Sequence, residues 1–120
     1  MLKSVAAAAF VVCAAVPAYA EFVPVSDRDA FLQVLDGREL RMGVFQIALK
    51  ITPDGQINGS ALGWDVTGTW AWEGGYFCRE IDWSGEPIPY NCQLVEVQDN
   101  AKIRFTVDKG EGDEATFNLR

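Results

Sequence analysis

The chain has 120 residues, a formal net charge of −7 from 17 Asp and Glu against 10 Lys and Arg, and no histidine. This acidity argues against nucleic acid as a partner, because phosphates bind to a basic face, and it disfavours electrostatic attachment to anionic membranes. Without histidine the chain lacks the usual general base, the Ser-His and Cys-His nucleophile systems and the commonest metal ligand, so we expect no catalytic residues, no cofactor and no metal.

The first twenty residues predict a cleaved secretory signal peptide. Lys3 gives a positive start, residues 5–16 form an unbroken apolar run, and residues 18–20 (Ala-Tyr-Ala) match the pattern that signal peptidase cuts. The apolar run is shorter than the roughly 20 residues that a membrane-spanning helix needs. We therefore expect a periplasmic or secreted protein with no membrane span and a single β-rich domain over residues 21–120.

The segment that follows the signal predicts one short helix. Ser26 is suited to cap its amino end, and Gly37 is suited to stop it. Phe31, Val34 and Leu35 have the spacing of residues that share one helical face. This face is expected to pack on the rest of the domain.

From Gly37 onward the hydrophobic pattern has a period of two residues, which is typical of strands. The runs are "VFQIALKI" (residues 44–51), "QINGSALGW", "DVTGTWAW", "YFCREIDW", "PYNCQLVEV", "KIRFTV" and "ATFNLR". Short turns separate them, including "TPDG", "EGG" and a turn at residues 85–87. The pattern predicts a mainly-β (α+β) fold, with the N-terminal helix packed on a curved antiparallel sheet or small barrel of about seven strands.

Two cysteines, Cys78 and Cys92, remain once the signal is removed. In an exported protein an even pair at short spacing is typical of a disulfide, which would stabilise the domain by about 3 kcal/mol on the chain-entropy model. If the two face each other on neighbouring strands, the same register places Glu80 opposite Tyr90 and centres the hairpin on Gly85.

The strand "WDVTGTWAWEG" places Trp64, Trp70 and Trp72 on one face, together with Val66 and Gly68. If that face is exposed, it is an aromatic platform for a sugar ring or an apolar ligand. If it is buried, it is part of the hydrophobic core, which is the usual role of an alternating apolar face in a small β domain. We favour burial, and Gly68 would then admit a bulky ring or a bulge from the next strand.

The aromatic segment supplies the candidate ligand-binding residues, which are Trp64, Trp70, Trp72, Tyr76, Arg79 and Trp83. Arg79 is expected in a surface ion pair or stacked on a tryptophan rather than as an anion-binding group. The acids Glu80, Asp82 and Glu86 suggest the carboxylate pair of a glycosidase, but such an enzyme requires a defined carboxyl separation that sequence spacing does not specify.

The stretch "GSALGWDVTGTWAWEGGYFCREIDW", followed by "YNCQLVEVQDNAKIRFTVDKGEG", resembles a family of small exported proteins from alphaproteobacteria that are often labelled dihydrodipicolinate reductase. The resemblance covers nearly the whole mature chain, most specifically in W-D-V-T-G-x-W-x-W-x-x-G-Y-F-C-R. The reductase itself is a cytoplasmic two-domain enzyme with a glycine-rich nucleotide loop and a catalytic segment containing His and Lys. This chain has neither the loop nor a histidine, so none of that enzyme's functional residues carries over, and the resemblance implies a shared shape rather than that activity.

These observations favour a non-enzymatic ligand-binding or protein-interaction module, whose partner is a small ligand or an envelope protein. A structural envelope protein and an unrecognised enzyme are the alternatives. Solvent exposure of the tryptophans would favour a binding surface, whereas a cleft with two close carboxylates would favour an enzyme.

Overall fold

The structure is a computed structural model that describes residues 7–9 and 20–120, so the predicted signal peptide lies almost entirely outside the described residues. Residues 20–120 contain an eight-residue helix, α1 (Arg28–Leu35), and a single helical turn, α2 (Val107–Gly110). The nine strands are β1 (Val23–Pro24), β2 (Leu40–Met42), β3 (Ile47–Ile51), β4 (Gln56–Ala61), β5 (Trp64–Glu73), β6 (Tyr76–Trp83), β7 (Glu86–Gln98), β8 (Lys102–Thr106) and β9 (Glu114–Leu119).

Strands β2 to β9 form a closed antiparallel barrel. Each pairs with the next along the chain from β2 to β9, and β2 pairs with β9 to complete the ring. The short β1 adds to the outer edge of β7, where Val23 lies opposite Val97. The predicted mainly-β fold with one N-terminal helix is confirmed, with nine strands rather than about seven, because β1 and β2 are too short to show an alternating pattern.

The first predicted strand, residues 44–51, begins later than expected. Residues 43–46 form a turn in which Gln46 has a φ of 48°, and β3 begins at Ile47. The "TPDG" turn forms as predicted, with the amide of Gly55 donating to the carbonyl oxygen of Thr52 at 3.2 Å and Gly55 at a φ of 91°. The apolar residues in the turn at residues 43–46 continue the alternating pattern upstream of the true start of β3.

Helix α1 is capped by Asp27 rather than by the predicted Ser26. The carboxylate of Asp27 accepts a hydrogen bond from the amide of Ala30 at 2.8 Å. Both residues carry an oxygen that can cap a helix, so their order in the sequence does not decide between them. The predicted helical face is correct, since Phe31 and Leu35 are buried.

An aromatic cluster joins α1 to one end of the barrel. Phe31 is fully buried, and its ring centroid lies 5.5 Å from that of Trp70, 5.2 Å from that of Trp72 and 5.2 Å from that of Phe77. Arg28 lies over the Trp70 ring and also donates a hydrogen bond to the turn at residues 52–55. The helix therefore closes this end of the barrel, which we call the base.

The disulfide between Cys78 and Cys92 forms as predicted, but the register changes two residues further on. The cysteines face each other, whereas a bulge after Arg79 shifts the pairing by one, so that Ile81 lies opposite Ile88. Glu80 therefore does not pair with Tyr90, and that prediction is wrong. In a bulge two residues oppose one, and Pro89, which has no amide hydrogen to donate, lies in the stretch of β7 opposite Glu80.

The turn of this hairpin is also displaced by one residue from the predicted position at 85–87. It consists of Ser84 and Gly85, with φ values of 48° and 98°, and Trp83 lies opposite Glu86. Two-residue hairpin loops with positive φ at both positions match the twist of the strands that they join.

Candidate functional site

The end of the barrel opposite the base is bordered by three tight turns, at residues 43–46, 62–63 and 84–85, and we call it the mouth. Because consecutive strands run antiparallel, these turns gather at one end. The amide of Leu62 donates to the carbonyl oxygen of Phe45 at 3.0 Å, which joins two of the turns. The side chains of Phe45 and Leu62 are 53% and 48% exposed, so the mouth carries large apolar groups in contact with solvent.

A cavity of about 370 Å³, the outer chamber, lies inside the mouth. The side chains that line it are all apolar and come from strands β3 to β7 and from the turns. Among them are Phe45, Ile47, Leu62, Val66, Trp83 and Ile88. A volume in this range and an apolar lining are usual for small-molecule sites in proteins.

A second cavity of about 270 Å³, the inner chamber, lies deeper in the barrel. It shares Leu49, Ile81 and Ile88 with the outer chamber, so the two spaces adjoin at these side chains. Strand β8 pairs with residues 94–98 of β7, while residues 86–93 pair with β6 alone. The segment from α2 to the start of β9 covers that gap, and Asp113 and Glu114 line the chamber there.

Arg79 is the cationic residue in the lining of the inner chamber. Its Nη1 atom donates a hydrogen bond to the carbonyl oxygen of Pro89 at 2.7 Å. Burial lowers the pKa of Arg79 from its usual value, because desolvation disfavours the charged form. The residue forms neither of the contacts expected from the sequence, since residues 20–120 contain no ion pair to Arg79 and no tryptophan under its guanidinium.

Trp70 and Trp72 hold the helix to the barrel. Trp70 is only 6% exposed, and its indole Nε1 donates to the carbonyl oxygen of Thr52 at 2.9 Å. Trp72 is half-buried, and its Nε1 donates to the carbonyl oxygen of Ser26 at 3.4 Å. Both rings pack on Phe31, in the arrangement expected for a hydrophobic core.

Trp64 and Trp83 lie together at the mouth. Trp64 is 63% exposed, so the burial that we favoured for its face is wrong at this position, and both rings border a shallow surface groove that also includes Ser84 and Glu86. Trp83 also lines the outer chamber, and its Nε1 donates to the carbonyl oxygen of Ala61 at 3.1 Å. The six candidate residues are therefore divided between the base, the mouth, the inner chamber and the outer wall, and they do not form one continuous aromatic surface.

Tyr76 belongs to neither chamber. The amino group of Lys109 lies 5.5 Å from the centre of its ring, so the residue ties the α2 segment to β6. Close to the same strand, the hydroxyl of Tyr90 donates to the carboxylate of Glu73 at 2.8 Å. This hydrogen bond, followed by desolvation and the negative charge of Glu73, raises the pKa of Tyr90.

One group of three potential metal ligands occurs among residues 7–9 and 20–120, formed by Glu73, Cys78 and Cys92. Both sulfur atoms are joined in the disulfide, so the group offers only one carboxylate. The acids suggested for a glycosidase, Glu80, Asp82 and Glu86, are all exposed.

Sequence reasoning missed the residues that build the mouth and the outer chamber. The alternating pattern predicts a strand over Phe45, and it predicts that the next run continues through Leu62 to Trp64. A signal was present in the Leu62-Gly63 dipeptide, because a glycine after an apolar residue between two strand-like runs is compatible with a two-residue hairpin loop. Leu62 and Gly63 have φ values of 53° and 80°, as such a loop requires.

Comparison with protein-family models, with curated proteins and with solved structures finds no match to this chain. Within the described residues, every helix is too short or too polar to cross a membrane. The disulfide is consistent with an oxidising, extracytoplasmic environment.

Proposed function

We propose that this protein is a non-enzymatic binding module that takes a small apolar ligand into its barrel. The observation that carries the proposal is the outer chamber, a space of about 370 Å³ with an apolar lining that opens at the mouth. Eight-stranded barrels have an interior that is either filled by side chains or able to hold one small ligand. Here the base is filled by the aromatic cluster, and the half toward the mouth is left open.

The sequence of the mouth supports this function. Leu62 adopts a left-handed backbone conformation, which favours glycine or asparagine in such a turn and is unfavourable for leucine. Its side chain is nevertheless half-exposed at the chamber entrance. Leucine is unfavourable at this position both in its backbone conformation and in the exposure of its apolar side chain to solvent. Its presence supports contact between this side chain and an apolar molecule.

The compartment supports the same proposal. A signal peptide at residues 1–20 would export the chain to the periplasm or beyond, where the disulfide is stable. An apolar molecule in an aqueous compartment gains free energy when a protein chamber removes it from water. The barrel would thus act as a carrier or sensor of such a molecule, without a chemical step of its own.

The proposal is tested by titrating the mature protein with the neutral fluorescent probe N-phenyl-1-naphthylamine. The Ala61→Phe variant would place a ring in the outer chamber, whose lining includes Ala61. The Ala71→Phe variant is the matched control, because Ala71 lies on a neighbouring strand with its side chain exposed. We expect binding to the wild type and to Ala71→Phe, and binding weaker by about tenfold or more in Ala61→Phe, equivalent to 1.4 kcal/mol or more.

Two results would overturn the proposal. One is the absence of probe binding to the wild type, and the other is equal binding to both variants. The competing explanation is that the mouth is a protein-interaction surface, and sedimentation tests it directly. If the wild type binds no probe and forms a stable dimer that the Phe45→Asp substitution dissociates, the mouth is a protein-interaction surface instead.

A further inference from the structure

Arg79 holds an unusual position for a cation in this barrel. It lies near the middle of β6, where it pairs with Trp70 on β5 and Asn91 on β7. Its side chain is half-buried and lines the inner chamber beside the apolar walls of Phe77 and Ile81. Water still reaches part of this half-buried guanidinium, and the buried part loses hydration that a partner would offset.

The protein supplies Arg79 with little compensation. A guanidinium has five N–H donors, and in the described part of the chain the group makes a single hydrogen bond, to the carbonyl oxygen of Pro89. No carboxylate of residues 7–9 or 20–120 lies within 4.0 Å of it, whereas Arg104 pairs with Glu96 at 3.0 Å. Burial of the guanidinium also lowers the pKa of Arg79.

Two acids limit the charge of any anion that enters the chamber. Asp113 and Glu114 contribute to the same lining, and the Glu114 carboxylate also lies 3.6 Å from Nε of Arg104. Glu114 pairs with Arg104, whereas Asp113 would repel a doubly charged group about twice as strongly as a singly charged one. A singly charged carboxylate is thus better suited to this chamber than a doubly charged phosphate, and its two oxygens match the planar fork of an arginine.

We propose that the ligand is an amphipathic monocarboxylate, whose head group pairs with Arg79 in the inner chamber and whose apolar tail occupies the outer chamber. This inference rests on the proposed function, since it identifies the class of molecule that the barrel holds. The two chambers adjoin at Leu49, Ile81 and Ile88, and the proposal places the ligand past these side chains, with its tail on one side and its head group on the other.

The test compares decanoate, decanol and decyl phosphate as competitors of N-phenyl-1-naphthylamine. It uses the wild type, Arg79→Met, which keeps an apolar stem without the charge, and Arg79→Lys, which keeps the charge without the fork. In the wild type we expect decanoate to bind roughly 10- to 100-fold more tightly than decanol, as for a hydrogen-bonded ion pair. Decyl phosphate should bind more weakly than decanoate.

In Arg79→Met the advantage of decanoate over decanol should disappear, and Arg79→Lys should restore part of it. Equal binding of decanoate and decanol to the wild type would overturn the inference, as would a Met variant that weakens both alike. Neither result removes the proposed function, which fails only if decanol and the probe also do not bind.

A second measurement covers the case in which Arg79→Met does not fold. In the wild type, the Nε–H resonance of Arg79 should shift on addition of decanoate and stay in place with decanol. A resonance unmoved by saturating decanoate would refute the proposed ion pair.

Discussion

Gly68 permits the close contact between β5 and β6 from which the chamber wall is built. A Cβ atom at this position would lie 2.5 Å from the carbonyl oxygen of Glu80 and 3.1 Å from Cγ1 of Ile81. The first distance is shorter than any ordinary contact, and the oxygen belongs to the backbone at the bulge. The substitution Gly68→Ala should therefore force β6 away from β5 and reduce the stability of the barrel.

The size of the effect follows from two opposing contributions. Extra atoms in a closely packed region cost about 1–3 kcal/mol, whereas replacing glycine by alanine restricts the unfolded chain and gains about 0.4–1 kcal/mol. We expect a net loss of about 1–2 kcal/mol in the free energy of unfolding for Gly68→Ala. Gly43 has no atom within 4 Å of a Cβ and no positive φ, so Gly43→Ala should be neutral or slightly stabilising.

Thermal and urea unfolding of the oxidised mature domain measure both variants. For a domain of this size 1 kcal/mol changes Tm by roughly 4–8 °C, so Gly68→Ala should lower Tm by roughly 5–15 °C and Gly43→Ala should not lower it. Equal transition midpoints for the two variants would refute the close contact at Gly68. A Gly68→Ala protein more stable than the wild type would do so as well.

Two further predictions concern the helix cap and the Tyr90 hydrogen bond. Asp27→Ala should reduce the free energy of unfolding by about 1 kcal/mol, through loss of the cap to the Ala30 amide, while Ser26→Ala should change it little. Equal urea unfolding midpoints for these two variants would contradict the assignment of Asp27 as the cap. In a spectrophotometric pH titration, Glu73→Gln should lower the pKa of Tyr90 toward the ordinary value of 10.0. Because folding raises this pKa, the hydrogen bond stabilises the folded wild type below about pH 10, and this stabilisation is lost as the pH rises through the raised pKa. An unchanged titration of Tyr90 in Glu73→Gln would exclude the hydrogen bond.

The features predicted correctly from the sequence are those set by local patterns. The spacing of Phe31 and Leu35 indicates the buried face of the helix, and the short spacing of Cys78 and Cys92, together with the predicted export signal, indicates the disulfide. Burial of Trp70 followed from strand alternation. In each case the determining interaction lies within one element or one hairpin, where the side-chain period fixes the geometry.

The features that were missed depend on contacts between segments distant in the sequence. Alternation does not specify that β2 pairs with β9, and this pairing closes the barrel. It also did not reveal that Arg79 would line an apolar interior, because arginine in a strand is usually on a solvated face. The bulge in β7, where Pro89 and Tyr90 oppose Glu80, shifts the register by one residue from the pairing that a regular hairpin predicts.

The two ends of the barrel differ in how their interiors are filled. At the base, Phe31 and its aromatic neighbours fill the interior and fix the helix. At the mouth, the strands leave an apolar chamber whose rim includes Phe45 and Leu62. This division predicts that ligand binding should depend on substitutions at the mouth, and that substitutions in the base should act through stability.

The most direct test of this account is a methyl-resolved NMR titration of the mature protein with decanol. Because Ile47, Ile81 and Ile88 line the outer chamber, their methyl resonances should shift in a saturable manner. The methyls of Val95 and Ile103, which are fully buried in the core, should move little. A saturable shift confined to the chamber methyls would locate the ligand inside the barrel, whereas unmoved chamber methyls at saturating decanol would contradict the account.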